Sequence, residues 1–271
     1  MASNLLEGST EDVLRAVLDR TDGDLVVVDP SETVVETLVS LGSDDDDLPT
    51  LNVVADERLL KDVLGDFLVA SEAADLVAAD RLTLRTLESD VDNTLLVGAD
   101  ELYALVTAGD HVAALTAADD AFIGDAYETY RGLWEGSEPF NLRTPALSRV
   151  RETLDADIGE TTRADFDGVL DSLETARGDG DGLDEVTISL LVAAKNDVLL
   201  YDISKWGEDV GIASKATFSR TKTRLEDMGL IATEKVPIDV GRPRLRLKLG
   251  DDRLRQAGTG ELAGVARSML N

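Results

Sequence analysis

The stretch Ile203 to Leu249, ISKWGEDVGIASKATFSRTKTRLEDMGLIATEKVPIDVGRPRLRLKL, contains several punctuated elements in a telling order. Asp202 can cap a helix over ISKWGED, because a carboxylate ahead of the first turn accepts from N–H groups that lack an intrahelical partner. Val210-Gly211-Ile212 then supplies a tight turn in which Gly211 can take a positive φ. Ser214 caps the next helix, KATFSRTKTRLEDM, whose core side is defined by Phe218 and Leu225, with Met228 and Leu230 ending it. After Gly229, IATEKVP reads as a strand, IDVGR as a turn and PRLRLKL as a second strand. Leu245, Leu247 and Leu249 face inward on that strand, so Arg244, Arg246 and Lys248 share its outer face. Just upstream, Asp184 caps EVTISLLVAAK, a helix apolar nearly all round and therefore expected to be buried. Three helices followed by a two-stranded hairpin make Asp184 to Leu249 a winged helix-turn-helix.

The third helix of this set has the chemistry of a DNA reader. At 100° per residue from Phe218, the opposite face carries Ala216, Arg220 and Thr223, with Thr217, Ser219 and Arg224 on its shoulders. Arginine can grip a guanine edge with two hydrogen bonds, serine and threonine bond to donors or acceptors, and a small alanine admits a thymine methyl. Lys215 at the helix start suits a phosphate. Arg242, near the tip of the turn between the strands, with Arg244 and Arg246 behind it, suits the backbone or the minor groove. Any one of these cations alone reads as a solvated surface charge. Together, Ser214 to Leu249 hold nine basic against four acidic residues, a local +5 in a chain of net charge -29, leaving -34 elsewhere. Tyr201 and Trp206 are expected as core aromatics of the second helix.

The whole chain has 271 residues, 43% of them hydrophobic, enough for two domains. Its 26 basic residues face 55 acidic ones, and only 7 of the 26 are lysine. This acidic, arginine-favouring balance resembles proteins of salt-loving archaea, in which hydrated carboxylates maintain solubility. In molar salt the screening length falls to about 3 Å, so direct hydrogen bonds carry more of any DNA affinity. The opening residues, MASNLLEGSTEDVLRAVLDR, lack the apolar core of a signal peptide, and no uncharged apolar run approaches a membrane span. A cytoplasmic protein without membrane contact is expected. With no cysteine and one histidine, His111, there is little material for thiol chemistry, zinc binding or histidine catalysis. No GxxxxGK or GxSxG pattern occurs, so neither an enzyme nor a cofactor is expected. The Asp44 to Asp47 run reads as a solvated loop, and GDGDG at Gly178 to Gly182 as a linker, since Leu183 stands where a calcium loop needs an oxygen ligand.

Toward the amino terminus, helix and buried strand alternate. Thr10 to Arg20 is helical behind the Ser9 cap, DLVVVD at Asp24 to Asp29 is a buried strand, Ser31 to Leu41 is helical, and TLNVVA at Thr50 to Ala55 is a second buried strand. A long helical stretch from Asp56 to about Asp80 follows, then strands at Leu82 to Leu87 and Asn93 to Val97. Glu101 to Thr107 and His111 to Thr116 form a hairpin across AGD, and Ala118 to Trp134 is an amphipathic helix. The pattern predicts an α/β domain with a mixed sheet over residues 1–138, for effector binding or dimerisation. A helical connector and linker over 139–182, its clearest helix at Ala164 to Arg177, leads to an α+β winged helix-turn-helix with a C-terminal tail over 183–271. The strand ends at Asp29 to Ser31 and Gly98 to Asp100 are where an open sheet would take a ligand. Sensing and dimerisation without sensing both remain open for this domain.

The capped helix, GIASKATFSR, RLEDMGLI and GRPRLRL together resemble archaeal winged-helix regulators. Over nearly the full chain, the order of acidic α/β domain and then winged helix resembles the haloarchaeal TbsP family of transcriptional regulators. NTLLVGADELYALVTAGDHVAALTAADDAFIGDAYETYRGLW, Asn93 to Trp134, is similar to the effector-binding, phospholipase D-like domain of the sugar-responsive TrmB regulators, which carry their DNA-binding domain first. The resemblance implies regulation of central carbon metabolism genes, double-stranded DNA as partner, a homodimer, and a sugar or phosphosugar effector. It does not imply phosphodiesterase chemistry, because His111 is followed by Val112 and Ala113 where a His-x-Lys motif is needed. Two alternatives stand beside this reading: a winged helix that binds another protein, and an enzyme with an appended interaction domain.

Overall fold

Short runs of valine and leucine that are apolar on both faces belong in the middle of a covered sheet. The computed structural model describes residues 4–87, 93–109, 111–173, 175–176, 183–238 and 243–270. It resolves into two compact units, residues 1–65 with 72–142, and residues 66–71 with 143–271. The first contains, in order, β1 (Leu5–Glu7), α1 (Thr10–Leu18), β2 (Asp24–Val28), α2 (Glu32–Asp44), β3 (Thr50–Ala55) and α3 (Glu57–Val63). Next come α4 (Phe67–Ala78), whose residues from Glu72 belong to this unit, β4 (Leu82–Thr86), β5 (Leu95–Val97), β6 (Leu102–Ala108), β7 (His111–Thr116), α5 (Asp120–Gly136) and β8 (Glu138–Pro139).

These eight strands make one mixed sheet in the order β1-β7-β6-β5-β2-β3-β4-β8. Strands β2, β3 and β4 run parallel, and every other neighbouring pair is antiparallel. Val26, Val27 and Val28 are fully buried, as both faces of β2 are covered. Helix α5 lies on the face that carries Val26, Val28, Val54 and Val97, packing Tyr127, Tyr130, Leu133 and Trp134 against it. A polar ladder crosses the same face at the beginnings of the parallel strands. The Tyr127 hydroxyl donates to Asp24 (3.1 Å), Asn52 Nδ2 donates to Asp24 (3.2 Å), Thr83 donates to Asn52 Oδ1 (2.9 Å), and Trp134 Nε1 donates to Thr83 (3.0 Å). Each of these polar groups has a partner, and α5 is fastened at its middle and near its C-terminal end.

The predicted helix from Asp56 to Asp80 is two helices. α3 ends at Leu64, and Asp66 restarts the helix by accepting from Leu68 N–H (2.9 Å). Asp66 also accepts from Ala176 N–H at 3.1 Å, a contact 110 positions apart that a periodicity count does not register. The hairpin expected across AGD is formed by β6 and β7, with Asp110 outside the described residues, and His111 is exposed at the start of β7. GDGDG at 178–182 also lies outside the described residues. Among the described residues, no helix is long and apolar enough to cross a membrane, and no cluster of three or more acidic or histidine side chains is placed to hold a metal.

The second unit holds α6 (Leu147–Asp157), α7 (Glu160–Leu170), α8 (Glu185–Lys195), α9 (Leu200–Val210) and α10 (Lys215–Asp227). It continues through β9 (Ile231–Val236), β10 (Arg244–Leu249), α11 (Asp252–Gln256) and α12 (Thr259–Leu270). Helix α8 is its axle: Val186 to Ala194 are all buried, as its apolar circumference demands. The helix expected at Ala164 to Arg177 starts earlier, after Gly159, and ends at Leu170. Leu147, Val150 and Leu154 of α6 and Phe166, Val169 and Leu170 of α7 join the same core as α8, so the stretch read as a connector is part of the winged-helix unit's interior. The expected tail is also structured, with Leu254, Leu262, Ala263 and Ala266 buried in that core.

Asp165 fastens three of these helices by accepting from Lys195 Nζ (2.8 Å), Asn196 Nδ2 (2.7 Å) and the Thr259 hydroxyl of α12. Burial alone would push its pKa up, but these three donors outweigh burial and hold the carboxyl below its ordinary range.

Helices α9 and α10 meet through a glycine. A Cβ on Gly207 would stand 2.3 Å from Cζ of the buried Phe218 ring, so only a bare backbone lets α10 approach this closely. Alanine would otherwise favour a helix interior by about 1 kcal/mol. A clash with a rigid buried ring costs about 1–3 kcal/mol and decides the sign. Gly207→Ala is therefore expected to lower the unfolding free energy, measured by urea titration; a gain in stability would contradict this packing.

Candidate nucleic-acid interface

The helix-turn-helix is assembled largely from the residues that announce it. Asp184 caps α8 by accepting from Thr187 N–H (2.6 Å), and Ser214 caps α10 by accepting from Thr217 N–H (3.2 Å). Gly211 takes φ 99° at the end of α9, and Ile212 N–H then closes the turn on the Gly207 carbonyl (2.8 Å). Asp202 does not cap α9. The helix begins at Leu200 behind Leu199, because Leu199 bridges to Arg246 and Leu247 N–H donates to the Val198 carbonyl (2.9 Å). That isolated antiparallel bridge ties the start of α9 to the edge of the β9–β10 hairpin and fixes where α9 can start.

Phe218 and Leu225 bury the inner side of α10. On its outer side Ala216, Ser219, Arg220, Thr223 and Arg224 are all exposed, as their angular positions predict. Thr217 is half-buried and its hydroxyl is engaged, 3.0 Å from the Ser214 hydroxyl and 3.4 Å from Arg220 Nη2. The Thr223 hydroxyl donates to the Ser219 carbonyl (3.0 Å). Arg224 Nη2 donates to the buried Thr187 hydroxyl of α8 (3.2 Å), bracing α10 against the axle. Arg220 is not among the cations paired with a described carboxylate, and Thr217 is its hydrogen-bond partner.

Most other cations here are paired. Lys215 Nζ lies 2.6 Å from Glu208, Lys222 Nζ 2.7 Å from Glu226, and Lys248 Nζ 2.6 Å from Asp197. The hydrogen bond from Lys215 holds the Glu208 carboxyl below the ordinary carboxylate range, and Lys222, then Thr233, does the same for Glu226. Arg244 stacks 4.3 Å from the centre of the Tyr201 ring and lies 3.3 Å from Asp202. Arg246 faces Glu234 at 4.0 Å across the hairpin, and its buried Nε has no hydrogen-bond partner among the described residues. Arg242 lies outside the described residues.

Of the two aromatics expected in the core, Trp206 is there, its Nε1 donating to Thr153 of α6 (3.0 Å). Tyr201 is 49% exposed and forms a platform for Arg244 instead. The sequence reading missed this role and the pairing of Glu208 with Lys215; the Tyr201-Asp202 dipeptide beside a basic strand was the available signal. Charge is also divided along the chain. Residues 1–142 hold 7 basic against 32 acidic side chains, whereas residues 143–271 hold 19 against 23.

Comparison with known proteins agrees with this two-part organisation. The family model "Transcriptional regulator TbsP-like, N-terminal" matches residues 2–145, and "Transcriptional regulator TbsP-like, C-terminal HTH domain" matches residues 146–267. The boundary between them falls close to the division of the two structural units. Among curated proteins no match was found. One similar solved structure is described as "Structure of TrmBL2, an archaeal chromatin protein, shows a novel mode of DNA binding". It is 15% identical with a TM-score of 0.37, the match covering 51% of this chain and 54% of that one, so the chain spans about half the length of that protein. With two adjoining family models matched from residue 2 to residue 267, the chain belongs to the TbsP-like transcriptional regulators and carries their C-terminal helix-turn-helix domain.

Proposed function

We propose that the protein binds double-stranded DNA sequence-specifically by laying the outer face of α10 in the major groove. The observation that carries this reading is the exposed, small-and-polar strip Ala216, Ser219, Arg220 and Thr223, on a helix braced from behind by Phe218 and Arg224. Arg220 supplies the bidentate base contact, Ser219 and Thr223 the adaptable ones, and Ala216 the close approach. Lys215, Thr217, Arg224, Arg244 and Arg246 face phosphates or position their neighbours, and Arg242, outside the described residues, is assigned a phosphate or minor-groove contact from the sequence alone. Central carbon metabolism genes are the targets that the family resemblance suggests, and the cytoplasm is the place of action. A winged helix used only for protein contact is the second reading. The Arg220→Ala/Arg244→Ala variant separates the two. Losing a bidentate base contact costs about 1–3 kcal/mol, and losing a phosphate contact costs further affinity. Chromatin immunoprecipitation should therefore show promoter occupancy falling to background with the fold intact by circular dichroism. Normal occupancy would favour the protein-contact reading.

For residues 1–142 the favoured role is self-association. Leu6, Ala113 and Val106 form one cross-strand row on β1, β7 and β6, next to Leu115 and Ala104, and all five side chains share one face. Leu6 is 71% exposed and Leu115 44%, an apolar patch on the most acidic part of the chain. A second copy repels the first wherever carboxylates meet, so an uncharged patch opposed to its own symmetry mate is the surface on which two copies can close. An effector would enter at the carboxyl ends of β2 and β3, where Asp29, Glu32 and Asp56 favour the hydroxyls of a neutral sugar over a phosphate. Light scattering after size exclusion should show a dimer for the native chain and a monomer for Leu115→Asp. A variant that stays dimeric would remove this face from the interface.

A further inference from the structure

Non-specific affinity for DNA comes from cations that any phosphate can neutralise. On this interface several such cations already have counterions, and α9 supplies two of them. Glu208 in its last turn receives Lys215 Nζ at 2.6 Å and the Lys215 backbone N–H at 3.3 Å. Asp202 in its first turn receives Arg244 Nη1 at 3.3 Å while Tyr201 supports the guanidinium from its face. Arg220, the residue placed to read a base edge, has no such carboxylate among the described residues. The acids thus screen the phosphate-facing cations and spare the base-facing one.

We propose that Asp202 and Glu208 are specificity determinants, carboxylates that hold Arg244 and Lys215 until a correctly docked duplex displaces them. The inference rests on the DNA-binding reading above. A phosphate that takes Lys215 releases counterions from DNA but leaves Glu208 without its partner, and Glu208 then takes up a cation from solution. Counterion release is offset, and binding to arbitrary sequence is both weak and only shallowly dependent on salt. Both pairs are substantially exposed, with side-chain exposures of 44% and 43% for Lys215 and Glu208 and 39% and 41% for Arg244 and Asp202. Pairs this open exchange partners readily.

The test compares the full-length protein with Asp202→Asn/Glu208→Gln, following fluorescence anisotropy of a mixed-sequence duplex over a series of potassium chloride concentrations. The variant is expected to bind up to about fivefold tighter for each pair removed. Its plot of log affinity against log salt should steepen by about one for each phosphate contact released from competition. Adding Lys215→Met and Arg244→Met to the variant should abolish both gains. A variant with unchanged or weaker affinity and an unchanged slope overturns the inference, provided that the native protein binds promoter fragments recovered by chromatin immunoprecipitation. A native protein that binds no duplex overturns the DNA-binding reading and this inference together.

Discussion

The approach of the Gly207 backbone to the Phe218 ring determines how the reading helix stands on the helix before it. With no Cβ at Gly207, α10 can settle until its only aromatic side chain is fully buried. Gly211 then reverses the chain in a turn that few residues adopt without strain. Behind both helices lies α8, buried over nine consecutive residues, whose Thr187 hydroxyl receives Arg224. The outer face of α10 is presented as a rigid strip because its inner face is packed at Phe218 and Leu225 and the shoulder residue Arg224 is tied to Thr187 of α8. Helices α6, α7 and α12 complete the support, and Asp165 of α7 ties α8 through Lys195 and α12 through Thr259.

Electrostatics divides the labour along the chain. The amino-terminal residues carry most of the excess acid, which maintains solubility and opposes contact between copies except across uncharged surface. The carboxyl-terminal residues are nearly balanced, and their cations are mostly held by nearby carboxylates rather than left to solvent. Such a surface attracts DNA less at long range than its count of arginines and lysines suggests. On the proposed reading, selectivity depends on groups like Arg220, Ser219 and Thr223, whose hydrogen bonds form only at close range.

Much of this was legible in the sequence because it is governed by local rules. The caps at Ser9, Ser31, Asp184 and Ser214, the turn at Gly211, the buried strands of DLVVVD and TLNVVA, and the inner and outer faces of α10 all follow from spacing and side-chain chemistry. What escaped depends on contacts between residues distant in sequence or across a turn. The start of α9 is set by Leu199 pairing with Arg246, which overrides the capping preference of Asp202. Tyr201 is exposed because Arg244 from a strand more than forty positions away stacks on it. The tail folds as α11 and α12 because α12 packs on α7 and α11 on β10, burying Leu254, Leu262 and Ala266 in the shared core. Glu208 meets Lys215 only because the turn between two helices brings them together.

The central claim is that α10 reads base edges in the major groove. Dimethyl sulfate protection on promoter DNA bound by the full-length protein tests it directly, because the reagent methylates guanine N7 in that groove. The account predicts guanines protected by the native protein and unprotected when Arg220→Ala is bound at saturating concentration. Bound DNA whose guanine N7 atoms all stay reactive, or protection that is the same with and without the Arg220 side chain, would contradict it.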